Sequence, residues 1–180
     1  MKTLRSQLNF DEGQAINFLT VKKILQHRVK DLKVAFWDLE DNWKKDFVLK
    51  KILPKYSNCV AILLKAHIGK KPQYHWGTVI RNKKGKLFWW DSLGLSDASL
   101  NKVLKDNGKF VRFLHQNKIQ MNRTKFQSSS RKIRTCGLHL CVRLSQFQLS
   151  NSEYNTWLRS MRTNADDLVA LMTFIGHNPS

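Results

Sequence analysis

An α+β domain follows from three features of the 180-residue chain. Strand-like and helix-like segments are mixed without the regular alternation of a βαβ fold. Residues 74–90 carry the pattern of a β-hairpin. The segment from Cys136 to Gln148 reads as a helix that is apolar around most of its circumference, and a helix of that kind is buried.

Taken in order, Asp11 and Glu12 predict a helix start, with Ile16, Phe18, Leu19, Val21 and Leu25 at roughly helical spacing. Pro54 punctuates the chain, and Cys59-Val-Ala-Ile-Leu-Leu64 reads as a buried strand. Tyr74 to Arg81 and Lys86 to Trp90 form the two arms of the hairpin. Asn82-Lys-Lys-Gly85 is its turn, where Gly85 can take a positive φ. Ser96 and Asp97 suit the start of a helix through about Lys105. Phe110 to Leu114 is expected as a strand, continued by Ile119 to Met121. In the central helix, His139, Arg143 and Gln146 form the one polar stripe. Two shorter helices are expected, Glu153 to Met161 and Asp166 to Ile175. No internal repeat or low-complexity linker divides the chain, so a single domain over residues 1–180 is the economical reading.

Composition narrows the function. With 42% hydrophobic and 11% aromatic residues, the chain has the material for a core and does not read as a disordered tail. Its 32 Lys+Arg against 13 Asp+Glu give a formal charge of +19, which points to a polyanionic partner. Residues 47–136 hold 20 of the basic residues and 3 of the acidic ones. The acids gather instead near Asp38, Glu40 and Asp41, among Phe36, Trp37 and Trp43. Three cysteines are too few for a secreted disulfide scaffold and suit a reducing, intracellular compartment. Lys2 and Arg5 precede no apolar leader core, and the apolar run from Cys59 stops at Lys65, so neither a signal peptide nor a membrane span is expected.

Three short segments carry chemistry. Cys136 opens the buried helix and is followed by Gly137, which lets a substrate backbone come close. The helix N-terminus and the neighbouring Arg131 and Arg134 favour the thiolate. Taken alone, Cys136 reads more simply as a small core residue. The hairpin, however, brings His75 and Asp91 to one end as an imidazole and an orienting carboxylate. Convergence of the three, in chain order His, Asp, Cys, is what favours a nucleophilic site. A metal reading of Cys136, His139 and Cys141 fails on geometry, because residues 136 and 141 of one helix lie about 140° apart. No phosphate-binding glycine motif occurs.

These residues resemble a known family. His75-Trp76, then Leu87-Phe-Trp-Trp-Asp91-Ser-Leu-Gly94-Leu-Ser-Asp97, then Cys136-Gly-Leu-His-Leu-Cys141, are similar over about residues 58–150 to the adenovirus-type cysteine proteases, the adenains. More broadly they resemble the clan of ubiquitin-like-protein proteases. The resemblance implies a papain-like variant, with a central mixed β-sheet packed against a nucleophile-bearing helix and flanked by further helices. It implies Cys136 as nucleophile, His75 as base and later acid, and Asp91 as the residue orienting His75. Asp91 stands where adenains have Glu; the wider clan commonly uses Asp, so the implied role is kept. Gln127 is the implied oxyanion donor beside the Cys136 backbone N–H, with Gln120 and Gln116 as fallbacks.

The implied substrates are virion precursor or capsid proteins with Gly at the cleaved bond, reached through a narrow groove walled by Trp76 or Trp90. The implied activator is double-stranded DNA, and no metal is implied. Adenains tether an activating peptide to a Cys between the acid and the nucleophile. None lies between Asp91 and Cys136 here, so a peptide activator stays open but a tethered one is not expected. A monomer, located in the virion and host nucleus, completes the expectation. The competing readings are a protease that removes ubiquitin-like modifiers with the same residues, and a non-catalytic nucleic-acid-binding protein on the same scaffold.

Overall fold

The computed structural model describes residues 17–26, 29, 31–39, 47–66, 73–128 and 134–177. The helix start expected at Asp11 and Glu12, the acids Glu40 and Asp41, Trp43 and Arg131 lie outside the described residues.

Five strands form one mixed sheet in the order β1-β2-β3-β4-β5: β1 Val34–Asp38, β2 Cys59–Ala66, β3 Gln73–Arg81, β4 Leu87–Asp91 and β5 Gln120–Met121. β1 runs parallel to β2 and β5 parallel to β4, while β2–β3 and β3–β4 are antiparallel. Among the described residues there are seven helices. They are α1 Phe18–Gln26, α2 Leu49–Ile52, α3 Asp97–Leu104, α4 Lys109–Gln116, α5 Cys136–Ser145, α6 Asn151–Ser160 and α7 Ala165–His177. The class is α+β, as the mixed pattern predicts.

The strands carry apolar side chains on both sides, and two cores result. Val60, Ile62, Val79 and Trp89 pack with Leu100, Leu104, Phe110 and Phe113 of α3 and α4. Cys59, Ala61, Trp76 and Ile80 pack with Val21 and Ile24 of α1 and with Cys136, Leu140 and Leu144 of α5. α5 therefore lies in the middle of a layer, against β3, α1 and α7. Two of the three residues of its polar stripe are buried as well: His139 and Arg143 are both fully inaccessible, while Gln146 is half-buried. Arg143 ends the helix by donating to the carbonyls of Gln146 (2.9 Å) and Leu149 (2.8 Å).

Local signals account for most boundaries. Asn17 caps α1 through its side chain to the Thr20 N–H at 3.0 Å, and Ser96 caps α3 through the Ser99 N–H at 3.2 Å. Ser150 and Glu153 form a reciprocal capping box on α6. The hairpin turns at Asn82–Lys86, with Gly85 at φ 74°.

One element differs from its sequence reading. The strand expected at Phe110–Leu114 is helix α4. Phe110, Val111, Phe113 and Leu114 are buried and Arg112 is exposed, a stripe at i, i+1, i+3 and i+4 rather than an alternation. Their β-favouring side chains suggested a strand, but a cap decides the backbone. Asp106 accepts from the N–H groups of Gly108 (2.9 Å) and Phe110 (2.7 Å). Ile119–Met121 is accordingly no continuation but contains the separate short strand β5.

The register of the hairpin depends on one close approach. Asp91 pairs with Gly77, so His75 lies two residues farther along β3, diagonal to Asp91. The Trp89 ring covers Gly77, where an added Cβ would clash with Trp89 Cη2. We therefore expect Gly77→Ala to lower stability by about 1–3 kcal/mol through overpacking. For a domain of this size that corresponds to a melting midpoint lower by about 2–4 °C per kcal/mol. Thermal unfolding followed by circular dichroism measures it, and an unchanged midpoint would contradict the close packing.

Candidate active site

The hairpin and α5 bring three of the residues singled out in the sequence together. His75 Nε2–H donates to Asp91 Oδ1 at 3.1 Å, and both side chains are buried. With Nε2 engaged, Nδ1 is the ring nitrogen left for Cys136, which shares a hydrogen bond with His75. The Cys136 sulfur also lies within hydrogen-bonding reach of the backbone N–H groups of Trp76 and Gly137.

The tight turn after β4 fixes Asp91. Its Oδ1 accepts the Leu93 N–H at 2.9 Å, and its Oδ2 accepts the Leu95 N–H at 3.2 Å. Asn122 donates from Nδ2 to the carbonyls of Asp91 (3.0 Å) and Thr124 (2.8 Å), joining the acid turn to the strap after β5. Gly94 takes φ 59° there, and a Cβ at that position would meet the Thr124 backbone at 2.7 Å. The carboxylate is thus aimed before any ligand arrives.

Electrostatics set the pair's charge state. Burial works against a charged His75, but its hydrogen bonds to Asp91 and Cys136, and the negative charge on each, outweigh it and push the imidazole up to about 10. Burial likewise opposes a Cys136 thiolate. The His75 hydrogen bond and charge, then the Trp76 and Gly137 N–H groups, hold the thiol below the ordinary range. Both shifts act in the direction of a thiolate–imidazolium pair. Cys59 is the contrast: burial pushes its thiol up to about 12. Both it and Cys141 are fully buried in the α5 core, and none of the three cysteines is in a disulfide.

Gln127 is placed beside Asp91 through its neighbour. Its Oε1 accepts from Ser92 Oγ at 2.6 Å and its backbone N–H donates to the Ser92 carbonyl at 2.9 Å. With its oxygen occupied, the side chain offers its Nε2 hydrogens. The fallbacks fit less well. Gln116 and Gln120 are exposed, and Gln120 pairs with Phe88, three residues before Asp91. Neither tryptophan expected to wall the groove reaches the surface. Trp76 lies in the α5 core and Trp90 packs on Tyr154, both buried, and the exposed ring next to His75 is Tyr74.

A second buried pair, absent from the sequence reading, braces the nucleophile. His139, one turn along α5 from Cys136, donates from Nε2 to Asp166 Oδ1 at 3.0 Å. The Thr135 hydroxyl donates to the same oxygen, and the Ser128 N–H donates to Asp166 Oδ2 at 2.8 Å. One carboxylate on α7 therefore holds both ends of the chain from Ser128 to Thr135 that leads into Cys136. Burial opposes its ionisation, but these donors hold it below the usual carboxylate range. Burial, reinforced by nearby His75, keeps His139 neutral despite Asp166. In the sequence Asp166 signals only a helix start, and nothing there ties it to residues some 30 positions away.

Among the described residues, no group of three or more His, Cys, Asp or Glu could hold a metal ion. No described helix is long and apolar enough to cross a membrane. In comparisons with known proteins, no family model and no curated protein matches the chain.

The ion pair sets a pH signature. A thiol whose pKa is lowered alkylates from lower pH, so the iodoacetamide rate at Cys136 should rise through a midpoint below 9.0, the ordinary thiol value. His75→Ala removes the lowering partner and leaves burial, moving the midpoint above 9.0. Peptide mapping of the alkylated thiol measures both, and an unmoved midpoint would contradict the pair. For the second pair, Asp166→Ala should cost about 1–3 kcal/mol per buried donor left unpaired, read by urea unfolding.

Proposed function

We propose that the protein is a cysteine endopeptidase of the adenain type, viral or from a virus-like element, that processes virion precursor or capsid proteins. The observation that carries this reading is the buried Cys136–His75–Asp91 arrangement, a thiol at a helix N-terminus hydrogen-bonded to an imidazole that a carboxylate holds from behind. The resemblance of the same three segments to adenains supplies the substrate class.

The chemistry follows from the roles. The Cys136 thiolate attacks the scissile carbonyl carbon, and the oxyanion is received by the Cys136 backbone N–H and the Gln127 side-chain amide. The His75 imidazolium gives its Nδ1 proton to the leaving amine as the C–N bond breaks, leaving a thioester. Neutral His75 then takes a proton from water, whose oxygen attacks the thioester, and the thiolate is released with the new carboxylate product. Asp91 keeps Nε2 protonated and stabilises the imidazolium throughout.

The +19 charge supports double-stranded DNA as activator and partner. We place the activity in the virion and host nucleus, performed by a monomer that needs no metal. A peptide activator would have to act without a tether between Asp91 and Cys136, where the sequence has no Cys.

Mass-spectrometric mapping of cleavage products from candidate capsid proteins, with and without DNA, tests the reading. Cys136→Ala should abolish cleavage, and His75→Ala should be nearly as damaging because the two act as one unit. Asp91→Asn should be milder, since that side chain takes no proton. Near-wild-type turnover in His75→Ala would place the base elsewhere. Efficient cleavage of ubiquitin-like fusions, with capsid proteins untouched, would replace virion processing by modifier removal.

A further inference from the structure

An oxyanion hole made of the Cys136 N–H and the Gln127 amide needs two donors aimed at one point, and Gln127 does not aim itself. A side-chain amide has a donating end and an accepting end, and only Nε2 can receive a developing oxyanion. Gln127 lies in neither a strand nor a helix, so no ladder of backbone hydrogen bonds fixes it. Two buried side chains outside the catalytic set supply what is missing, Ser92 just past β4 and Asp166 in the first turn of α7.

Ser92 holds Gln127 by backbone and side chain together. Its carbonyl accepts the N–H groups of Phe126 (2.8 Å) and Gln127 (2.9 Å). Its hydroxyl, fully buried, donates to Gln127 Oε1 at 2.6 Å, which engages the accepting end of the amide. Asp166 acts on the neighbours of both donors. Its Oδ2 accepts the N–H of Ser128, the residue after Gln127, at 2.8 Å. Its Oδ1 accepts the hydroxyl of Thr135, the residue before Cys136, and the His139 Nε2–H at 3.0 Å. Asp166 is itself anchored, because Asn164 Oδ1 accepts its N–H at 2.8 Å and caps α7.

We infer that Ser92 and Asp166 are the positioning residues of the oxyanion hole: Ser92 turns the Gln127 amide so that Nε2 faces the reacting carbonyl, and Asp166 sets the separation between that amide and the Cys136 N–H. The inference rests on the cysteine-protease reading of the proposed function. Packing alone does not call for the Asp166 carboxylate. α7 already meets α5 through Val169 and Ala170 against Leu138 and Val142. Burying a carboxylate costs free energy unless its oxygens are matched. Two of the three donors that match them stand next to the two oxyanion donors in the chain. Such donors must lie about 2.7–3.1 Å from the oxyanion, and a misplacement of about 1 Å can cost on the order of a hundredfold in rate. A carboxylate that ties both sides together therefore acts on the rate, beyond its part in stability.

The test compares two probes of Cys136. A tripeptide aldehyde ending in glycinal adds to the thiolate through its carbonyl carbon, and the aldehyde oxygen of the resulting hemithioacetal stands where the oxyanion forms. Iodoacetamide alkylates the same sulfur with loss of iodide and forms no oxyanion. Gln127→Ala should weaken the aldehyde about a hundredfold or more, the effect of one lost oxyanion donor. Ser92→Ala should weaken it on the order of tenfold, the worth of one hydrogen bond, and should have no further effect in the Gln127→Ala background. Asp166→Asn should weaken it on the order of tenfold or more. Thr135→Val should act in the same direction and Thr135→Ser should restore wild-type affinity, so the clasp is tested even if Asp166→Asn does not fold. The iodoacetamide midpoint should stay below 9.0 in each folded variant, as in the wild type. Unchanged aldehyde affinity in Ser92→Ala and Thr135→Val would overturn the inference. So would an equal loss from Ser92→Ala with and without Gln127, which would make Ser92 a structural residue only. Failure of the protease reading is distinguishable, because the wild type itself would then form no hemithioacetal.

Discussion

The electrostatic coupling of two buried groups, a Cys136 thiol drawn toward the thiolate and a His75 imidazole drawn toward the imidazolium, is the constraint around which the rest of the site is arranged. Each is costly alone in a desolvated position. Together, with Asp91 behind His75 and two backbone N–H groups around the sulfur, each favours the charged form of the other. The pair exists only if the hairpin, the turn after β4 and the start of α5 meet at one point. That demand explains why so much local structure converges there.

The supports are arranged from both sides of the sheet. Gly77 lets Trp89 sit on β3, which sets the approach of the two hairpin strands and hence the diagonal from His75 to Asp91. Asn122 and Gly94 hold the acid turn. On the nucleophile side, Asp166 of α7 clasps Thr135, His139 and Ser128, so the chain entering Cys136 is fixed to the helix leaving it. A neutral His139 suits that position. A second charged imidazole so near His75 would work against the imidazolium that the pair requires.

What the sequence discloses here is what local chemistry decides. The hairpin was legible because Asn82 to Gly85 is a turn signal between two β-rich arms, and α5 because its apolar positions encircle it. Cys136, His75 and Asp91 were legible as a set because each lies at the end of such an element. The α4 segment reads as a strand because Phe110, Val111 and Phe113 favour strands, whereas the Asp106 carboxylate that caps the helix accepts from backbone N–H groups, which the side-chain pattern does not reveal. Trp76 and Trp90 were misplaced because an aromatic beside a site residue belongs equally well to a core. Asp166 was invisible because its partners come from segments that meet only in the tertiary fold.

The central claim is that Cys136 alone among the three cysteines is an activated nucleophile. The most direct measurement treats the folded protein with an electrophilic peptide probe and maps the adduct by mass spectrometry. The account predicts a single adduct on Cys136, lost in His75→Ala although the fold is intact. An adduct distributed equally over Cys59, Cys136 and Cys141, or one on Cys136 that persists undiminished without His75, would contradict it.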